Sequence, residues 1–331
     1  MIRLPEVSAA GFAEDESEAI FAAIVDGTVA DEDIIGFLGA LSDRGETASE
    51  IAGAARALRA RMIPVAAPPG AIDVCGTGGD GYHTLNVSTA VSLVVAACDV
   101  PVAKHGNRAA SSRAGAADTL EALGLDLSRA GALGEMTLRE IGIAFLFAQT
   151  HHPALARIAP IRRAIGRRTI FNLIGPLANP ARVERQLIGI ARPAYVPIFA
   201  DAVMRLGTVR SHIVSGDEGL DELSLEGGNE LAEVTGQSLR MHRLTAADAG
   251  LPHHPVTAIH GGDAAYNARA LHRLLEGERG AYRDAVLFNA AAALMVAGAA
   301  DSLVAAVEEA GEAIDKGLAR ALLACWIATV R

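Results

Sequence analysis

Apolar positions in the first sixty residues recur at helical spacing, and the pattern changes after a proline-rich break. Residues 15–62 carry three helical patterns. Asp31-Glu32-Asp33 opens the second, where negative charge suits the helix dipole. Thr47-Ala48-Ser49-Glu50 predicts a capping box for the third, with Gly45 in the turn before it. Pro64 to Gly70, with three prolines, reads as a linker. From Ala71 onward short apolar runs alternate with Ala-rich helical stretches. Strands are expected near 71–75, 100–104, 142–147, 185–191 and 209–215, with helices between them. Phe171 to Ala181 contains Gly175-Pro176 and Asn179-Pro180 and reads as an irregular loop. Two alternating runs around Gly236, within 230–244, predict a hairpin. Helical patterns follow near 265–276, 281–298, 301–315 and 317–329. No internal repeat or low-complexity segment interrupts this order. The pattern predicts an α/β protein with an all-helical N-terminal domain.

A length of 331 residues sets a prior of roughly two domains. Aromatic residues make up only 4% of a chain that is 51% apolar, so the core must be Ala, Leu, Val and Ile packing. The longest apolar stretch, Ala285 to Ala300, is interrupted by Asn289 and falls short of the ~20 residues a membrane span requires. It reads as a core helix. Met1 to Phe12 lacks a basic start and an apolar run, so no secretory signal is expected. Cys75, Cys98 and Cys325 lie in apolar contexts without a CxxC pair, which predicts buried, reduced thiols and a cytoplasmic setting. A net charge of −10 argues against broad binding to nucleic acid or anionic membranes. Arg157, Arg162, Arg163, Arg167 and Arg168 form a local exception.

Candidate chemistry concentrates in two small-residue loops. Gly76-Thr77-Gly78-Gly79-Asp80 follows the first expected strand and leads to Asn86-Val87-Ser88-Thr89. Lys104-His105-Gly106-Asn107-Arg108 follows the second and leads to Ser111-Ser112. Glycines let backbone N–H groups approach an anion, and a helix start adds positive dipole. Two such loops suggest a ligand with two separated phosphates. The first also matches GxGxxG, but the next helix starts near Val87 and the following strand ends in Lys104 rather than an acid. A dinucleotide fold needs the opposite on both counts. Lys104 is a flexible point charge suited to phosphate. Asp221-Glu222, within the acidic run from Asp217, offers hard oxygen ligands for Mg²⁺ after the strand ending near Ser215. Arg162 could grip a carboxylate with both prongs of its guanidinium, while most of the five clustered arginines read as helix-surface residues. His151-His152-Pro153 has no HExxH partner, which argues against zinc. An aromatic-substrate contact and an ordinary loop histidine both remain open there.

The ordered motifs GTGGD, NVST, KHGNRAASS, RTIFNLIGPLANP, GLDELS and GGDAAYNA, with His152 to Arg168 and LLEGERGAYRDAVLFNAAAAL, resemble those of the anthranilate phosphoribosyltransferases. The resemblance covers nearly the whole chain. It implies a helical domain over residues 1–65, joined by part of 165–185, and an α/β domain of the nucleoside phosphorylase class over 70–331. It also implies a homodimer through the helical part. The implied reaction moves phosphoribose from phosphoribosyl pyrophosphate (PRPP) to the amine of anthranilate, in tryptophan synthesis. By motif position, Gly76, Thr77, Gly78, Gly79, Asp80, Thr84, Asn86, Ser88, Thr89, Lys104, Asn107 and Ser112 would hold PRPP. Ser88, Asp221 and Glu222 would hold Mg²⁺. Gly76, His105, Asn107, His152, Arg162 and Gly175 would line the anthranilate path, with Lys104 and Asn107 as the catalytic pair. Leu85, Arg113, Ala114, Ala116 and Glu226 depart from the family pattern. The nearest rival is a pyrimidine nucleoside phosphorylase, expected to carry a KxST-type loop in place of GTGGD. A second is a silent relative that binds nucleic acid, which would need a basic groove and loss of the acidic pair.

Overall fold

A computed structural model describes residues 2–109 and 113–331. Three helices, α1 (Glu14–Val25), α2 (Asp31–Arg44) and α3 (Ala48–Arg59), open the chain. Thr47 caps α3 as expected, and Glu50 returns the bond to the Thr47 backbone. Glu50 is fully buried yet satisfied: it also accepts from Phe12 N and pairs with Arg44. One buried acid thereby fixes the start of the domain to α3.

The seven strands are β1 (Ile72–Gly76), β2 (Val102–Gly106), β3 (Ile143–Phe147), β4 (Arg185–Gly189), β5 (Arg210–Gly216), β6 (Asn229–Thr235) and β7 (Ser238–Leu244). They form one sheet in the order β3-β2-β1-β4-β5-β6-β7. The first five are parallel, and the hairpin β6–β7 adds two antiparallel strands at one edge. The central strands are buried on both faces, which is why they read as continuous apolar runs.

One face of the sheet packs on a large cluster that includes helices Val87–Ala96 and Ala281–Ala297. The other face packs on a cluster shared by α1–α3, helix Leu155–Ile165 and helix Val196–Arg205. The segment Pro64–Gly70 is more than a linker. Val65 N donates to Pro180 O, and Ala66 N donates to Glu135 Oε1, so it is pinned along the α/β domain.

Three local expectations need correction. Phe171–Ala181 is not wholly irregular: a short helix at Ile170–Leu173 and a 3₁₀ turn at Pro176–Ala178 occupy it. Pro176 at the first helical position has no N–H to leave unpaired, so it starts a turn rather than preventing one. Strand β2 begins after Pro101 and runs through Lys104-His105-Gly106, because these pair with Phe145, Leu146 and Phe147 of β3. Half of the second expected loop is therefore strand. Of the thiols only Cys75 is buried; Cys98 is partly exposed and Cys325 exposed, on the outer side of the last helix.

Candidate active site

The site forms where the C-terminal ends of β1, β2, β4 and β5 meet, the usual place for a ligand in an open parallel sheet. Pairing between β1 and β2 is confined to Ile72 and Val102. Beyond that pair, side chains bridge the two strands. Asp73 Oδ1 accepts from His105 N at 3.0 Å, and Lys104 Nζ donates to Val74 O at 2.8 Å. Lys104 and His105, as consecutive strand residues, point to opposite faces. They divide the site into two poles.

The first pole is built of anion-binding loops and carboxylates. Gly78 and Gly79 adopt positive φ of 67° and 76°, which folds the loop back over the strand end. Gly78 N then donates to Asp221 Oδ2 at 2.6 Å. Gly76 and Gly189 make this approach possible. A Cβ on Gly76 would lie 2.3 Å from Asp221 Oδ2, and one on Gly189 would lie 1.6 Å from Asp221 O. Asp80 reaches Asp221 as well, and burial together with Asp80 pushes the Asp221 carboxyl up to about 7. Burial and the Asp221 charge also push Glu222 well above the usual carboxylate range, with Lys104 opposing. Glu222 Oε1 accepts from Ser88 N, and Ser88 Oγ accepts from Lys104 Nζ. Tyr82, which sequence reasoning passed over, ties the two loops by donating to Glu218 O at 2.9 Å.

Among the described residues no group of three or more His, Cys, Asp or Glu forms a metal cage. The donor set still fits a hard divalent cation. Two carboxylates of raised pKa converge beside a serine hydroxyl, leaving positions for water and phosphate oxygens, as Mg²⁺ requires. At the start of helix Val87–Ala96 the buried Thr89 hydroxyl has no partner among the described residues. An oxyanion at that helix start would satisfy it.

The second pole is lined by two imidazole rings and a backbone carbonyl. His105 Nδ1 meets Gly175 O at 3.1 Å, and the His105 and His152 rings lie 5.2 Å apart at a tilt of 57°. Burial pulls His105 down to about 3 and His152 down to about 4, so both rings are neutral at pH 7. Such rings present flat polarizable surface without a counter-charge.

Residues 68–320 match the family described as glycosyl transferase family, a/b domain, and residues 10–62 match its helical bundle domain. A protein of Novosphingobium aromaticivorans named anthranilate phosphoribosyltransferase is 73% identical over 96% of both chains. One of the same name from Sphingopyxis alaskensis is 71% identical over 95% of both. The chain belongs to the anthranilate phosphoribosyltransferase family. Its fold superposes on the enzyme of that name from Thermus thermophilus with a TM-score of 0.91 and 41% identity, covering 98% and 97% of the two chains. It also superposes on the Saccharomyces cerevisiae enzyme solved with PRPP and Mg, at TM-score 0.87 and 25% identity over 96% and 93%.

Among the expected family positions, the structure gathers Gly76, Gly78, Ser88, Lys104, Asp221 and Glu222 at one pole and His105, His152 and Gly175 at the other. Thr77 sits behind the loop, its N donating to Gly189 O and its Oγ1 accepting from Ala191 N. Thr84 forms a bridge to His260 at the edge of the site. Asn86 is largely spent on the protein: it donates to Ala114 O and accepts from Thr119 Oγ1 and Asn267 Nδ2. Asn107 is exposed, and its Oδ1 accepts from Arg108 N. Ser112 lies outside the described residues.

Lys104 corrects the sequence reading. It is buried at 3% exposure and fixed by two hydrogen bonds, so it is not flexible. The reason is the strand extension, which carries it inward against Val74 and Ser88. The arginine cluster also divides. Arg157 and Arg167 are exposed, as expected of surface residues, and pair with Asp31 and Asp43 of α2. Arg168 lies beside Gly79 and shares the field of Asp221, while its backbone O accepts from Ser42 of α2. Arg162 is half-buried, and its guanidinium makes no hydrogen bond or ion pair among the described residues. No single sequence motif marks Arg168 as part of the phosphate loop, because the contact crosses from a distant turn.

Proposed function

We propose that this chain transfers the phosphoribosyl group of PRPP to the amine of anthranilate, releasing pyrophosphate. The observation that carries the reading is the pairing of a carboxylate-rich phosphate pole with a neutral, imidazole-lined pole on opposite faces of one strand. A polyphosphate suits the first, and a planar aromatic suits the second.

The roles follow from position. The Gly76–Asp80 loop and the start of helix Val87–Ala96 bind phosphate oxygens, and Lys104 supplies fixed positive charge beneath them. Ser88, Asp221 and Glu222 would hold Mg²⁺, which when bound would neutralise charge on the pyrophosphate leaving group. Gly76, His105, Asn107, His152 and Gly175 line the path of the anthranilate ring, and Arg162 takes its carboxylate. Bond breaking at the ribose C1 leaves an oxocarbenium-like centre. The anthranilate amine is already a neutral nucleophile, so the main tasks are alignment and charge neutralisation. No strong general base is required. The two neutral histidines suit this, since a cationic neighbour would oppose positive charge growing on the sugar.

Loss of anthranilate fluorescence on mixing the protein with anthranilate, PRPP and Mg²⁺ tests the assignment. Absence of turnover in that mixture, with turnover of a nucleoside and phosphate instead, would favour the phosphorylase reading.

The working unit is proposed to be a homodimer formed through helices within residues 1–62. Ile35 of α2 is exposed there at 37%. Sedimentation as a monomer at micromolar concentration would count against it. Among the described residues no helix is long and apolar enough to cross a membrane. A cytoplasmic setting is proposed on the chemistry of a biosynthetic enzyme with free thiols.

A further inference from the structure

Two buried asparagines, sixty residues apart in sequence, hold consecutive peptide units just after the two acidic residues. Asn289 has 0% exposure at the centre of helix Ala281–Ala297, where its buried neighbours are almost all apolar. Its Oδ1 accepts from Leu223 N at 2.8 Å. Its Nδ2 donates to Leu223 O and to Ala285 O, both at 3.0 Å. Asn229, also at 0% exposure, opens β6 and repeats the arrangement on the next residue. Its Oδ1 accepts from Ser224 N at 2.7 Å, and its Nδ2 donates to Ser224 O at 3.0 Å and Leu244 O at 3.3 Å.

An amide side chain offers a donor and an acceptor side by side, as a peptide group does. Each asparagine therefore pairs with its target much as a neighbouring strand would. Residues 217–228 contain no helix or strand of their own, so their buried backbone groups need partners from elsewhere. An apolar side chain at 289 would fill the same space without the cost of burying an amide, and that cost is offset only when the bonds are made. On the other side of the acidic pair, Gly216 N donates to Leu220 O at 3.0 Å. The Asp221–Glu222 peptide is thus held between a closed turn and a double clamp. Two adjacent carboxylates repel each other, and a loose loop would let them separate.

We propose that Asn289 and Asn229 are positioning residues: they hold the Asp221–Glu222 peptide so that both carboxylates face one divalent cation. The proposal rests on the reading of Asp221 and Glu222 as metal ligands. It is tested by calorimetric titration of PRPP, with Mn²⁺ and with EDTA, in the absence of anthranilate. The proteins are the parent, Asn289→Ala, Asn229→Ala and a reference carrying Asp221→Asn with Glu222→Gln. Circular dichroism establishes that each is folded. The expected result is a roughly 10- to 100-fold loss of Mn²⁺-dependent PRPP affinity in each asparagine variant. The Michaelis constant for anthranilate should stay near the parent value. A purely structural role would lower the melting temperature yet leave Mn²⁺-dependent affinity at the parent level, and that result overturns the proposal. Should Asn289→Ala not fold, Asn229→Ala, at the end of a surface hairpin, decides by the same criterion. Full Mn²⁺-dependent affinity in the carboxylate reference would overturn the metal assignment itself, and the clamp's function with it.

Discussion

Asp221 and Glu222 bring two carboxyls of raised pKa together in a half-buried loop, whereas His105 and His152, across β2, are buried and uncharged at pH 7. Burial acts on both groups by the same physics, disfavouring the charged form. The outcomes differ because of what surrounds them. The carboxylates have each other and Asp80 nearby, with one buried lysine in partial compensation. The histidines have a carbonyl, each other's rings and apolar packing. One pole gathers carboxyls; the other gathers neutral imidazoles, with His105 Nε2 and both His152 ring nitrogens left without a hydrogen-bond partner among the described residues. The asymmetry is what a reaction needs when one substrate brings phosphate charge and the other an aromatic surface.

Removing the stored charge is the strongest way to break this contrast. The Asp221→Asn, Glu222→Gln protein should lose about 10²- to 10³-fold in turnover, the scale of losing an electrostatic stabiliser at a reacting centre. Its metal-free form should melt higher than the parent, because a buried repulsion is gone. Calorimetry in EDTA checks this, and a lower melting temperature would show that the carboxylates are compensated within the protein.

If Arg162 takes the anthranilate carboxylate as proposed, Arg162→Ala should raise the Michaelis constant for anthranilate by tenfold to over a hundredfold, from the loss of about 1.5–3 kcal/mol in a charge-assisted bond. The constant for PRPP should move much less. An unchanged anthranilate constant would mean that the carboxylate is held elsewhere.

Acidification separates the poles by sign. His105 and His152 have folded values near 3 and 4, below the ordinary value of 6.5, as has His212 at about 4. Below 6.5 the unfolded chain takes protons that the folded chain refuses. Their stabilising effect is complete above that pH and is lost as pH falls towards 4, by up to about 1.4 kcal/mol per pH unit for each ring. Asp221, raised in the fold, works in the opposite direction. Urea titrations at pH 7, 6 and 5 should therefore show a steeper loss in Asp221→Asn than in the parent. Equal slopes would contradict the opposed signs.

The smallest effect is expected at Arg163, which is exposed and unpaired among the described residues. Arg163→Ala should change stability by less than about 0.5 kcal/mol and leave both Michaelis constants near the parent values. A large effect there, with Arg162 silent, would transfer the carboxylate role by one position along the helix.

Much of this was legible in the chain. Periodicity placed the strands within two residues or so at most ends, because buried parallel strands demand unbroken apolar runs. The Thr47 box announced its own helix, since capping is a contact between residues three apart. Less was legible wherever a contact joins distant segments. Lys104 read as a flexible point charge suited to phosphate, and only its hydrogen bonds to Val74 O and Ser88 Oγ show that it is buried and fixed. Arg157 and Arg167 read as surface residues and are exposed, but only the fold brings them their acids, Asp31 and Asp43 of α2. Asn289 read as an interruption in an apolar stretch; its partner, Leu223, lies sixty-six residues away.

The sequence by itself determined the order of elements, the two glycine-rich loops, the acidic pair and the family to which they belong. These are local patterns, or ordered strings of them, and a chain carries them without folding. Only the tertiary structure decided which of those residues share a pole, which are neutral and which are spent on holding the protein together. Charge state and hydrogen-bond partners depend on burial and on neighbours brought from far along the chain, and β2 shows the consequence most directly. Lys104 and His105 are adjacent in sequence, yet the alternation of a strand buried on both faces sends one towards Ser88 and the acidic pair and the other towards His152.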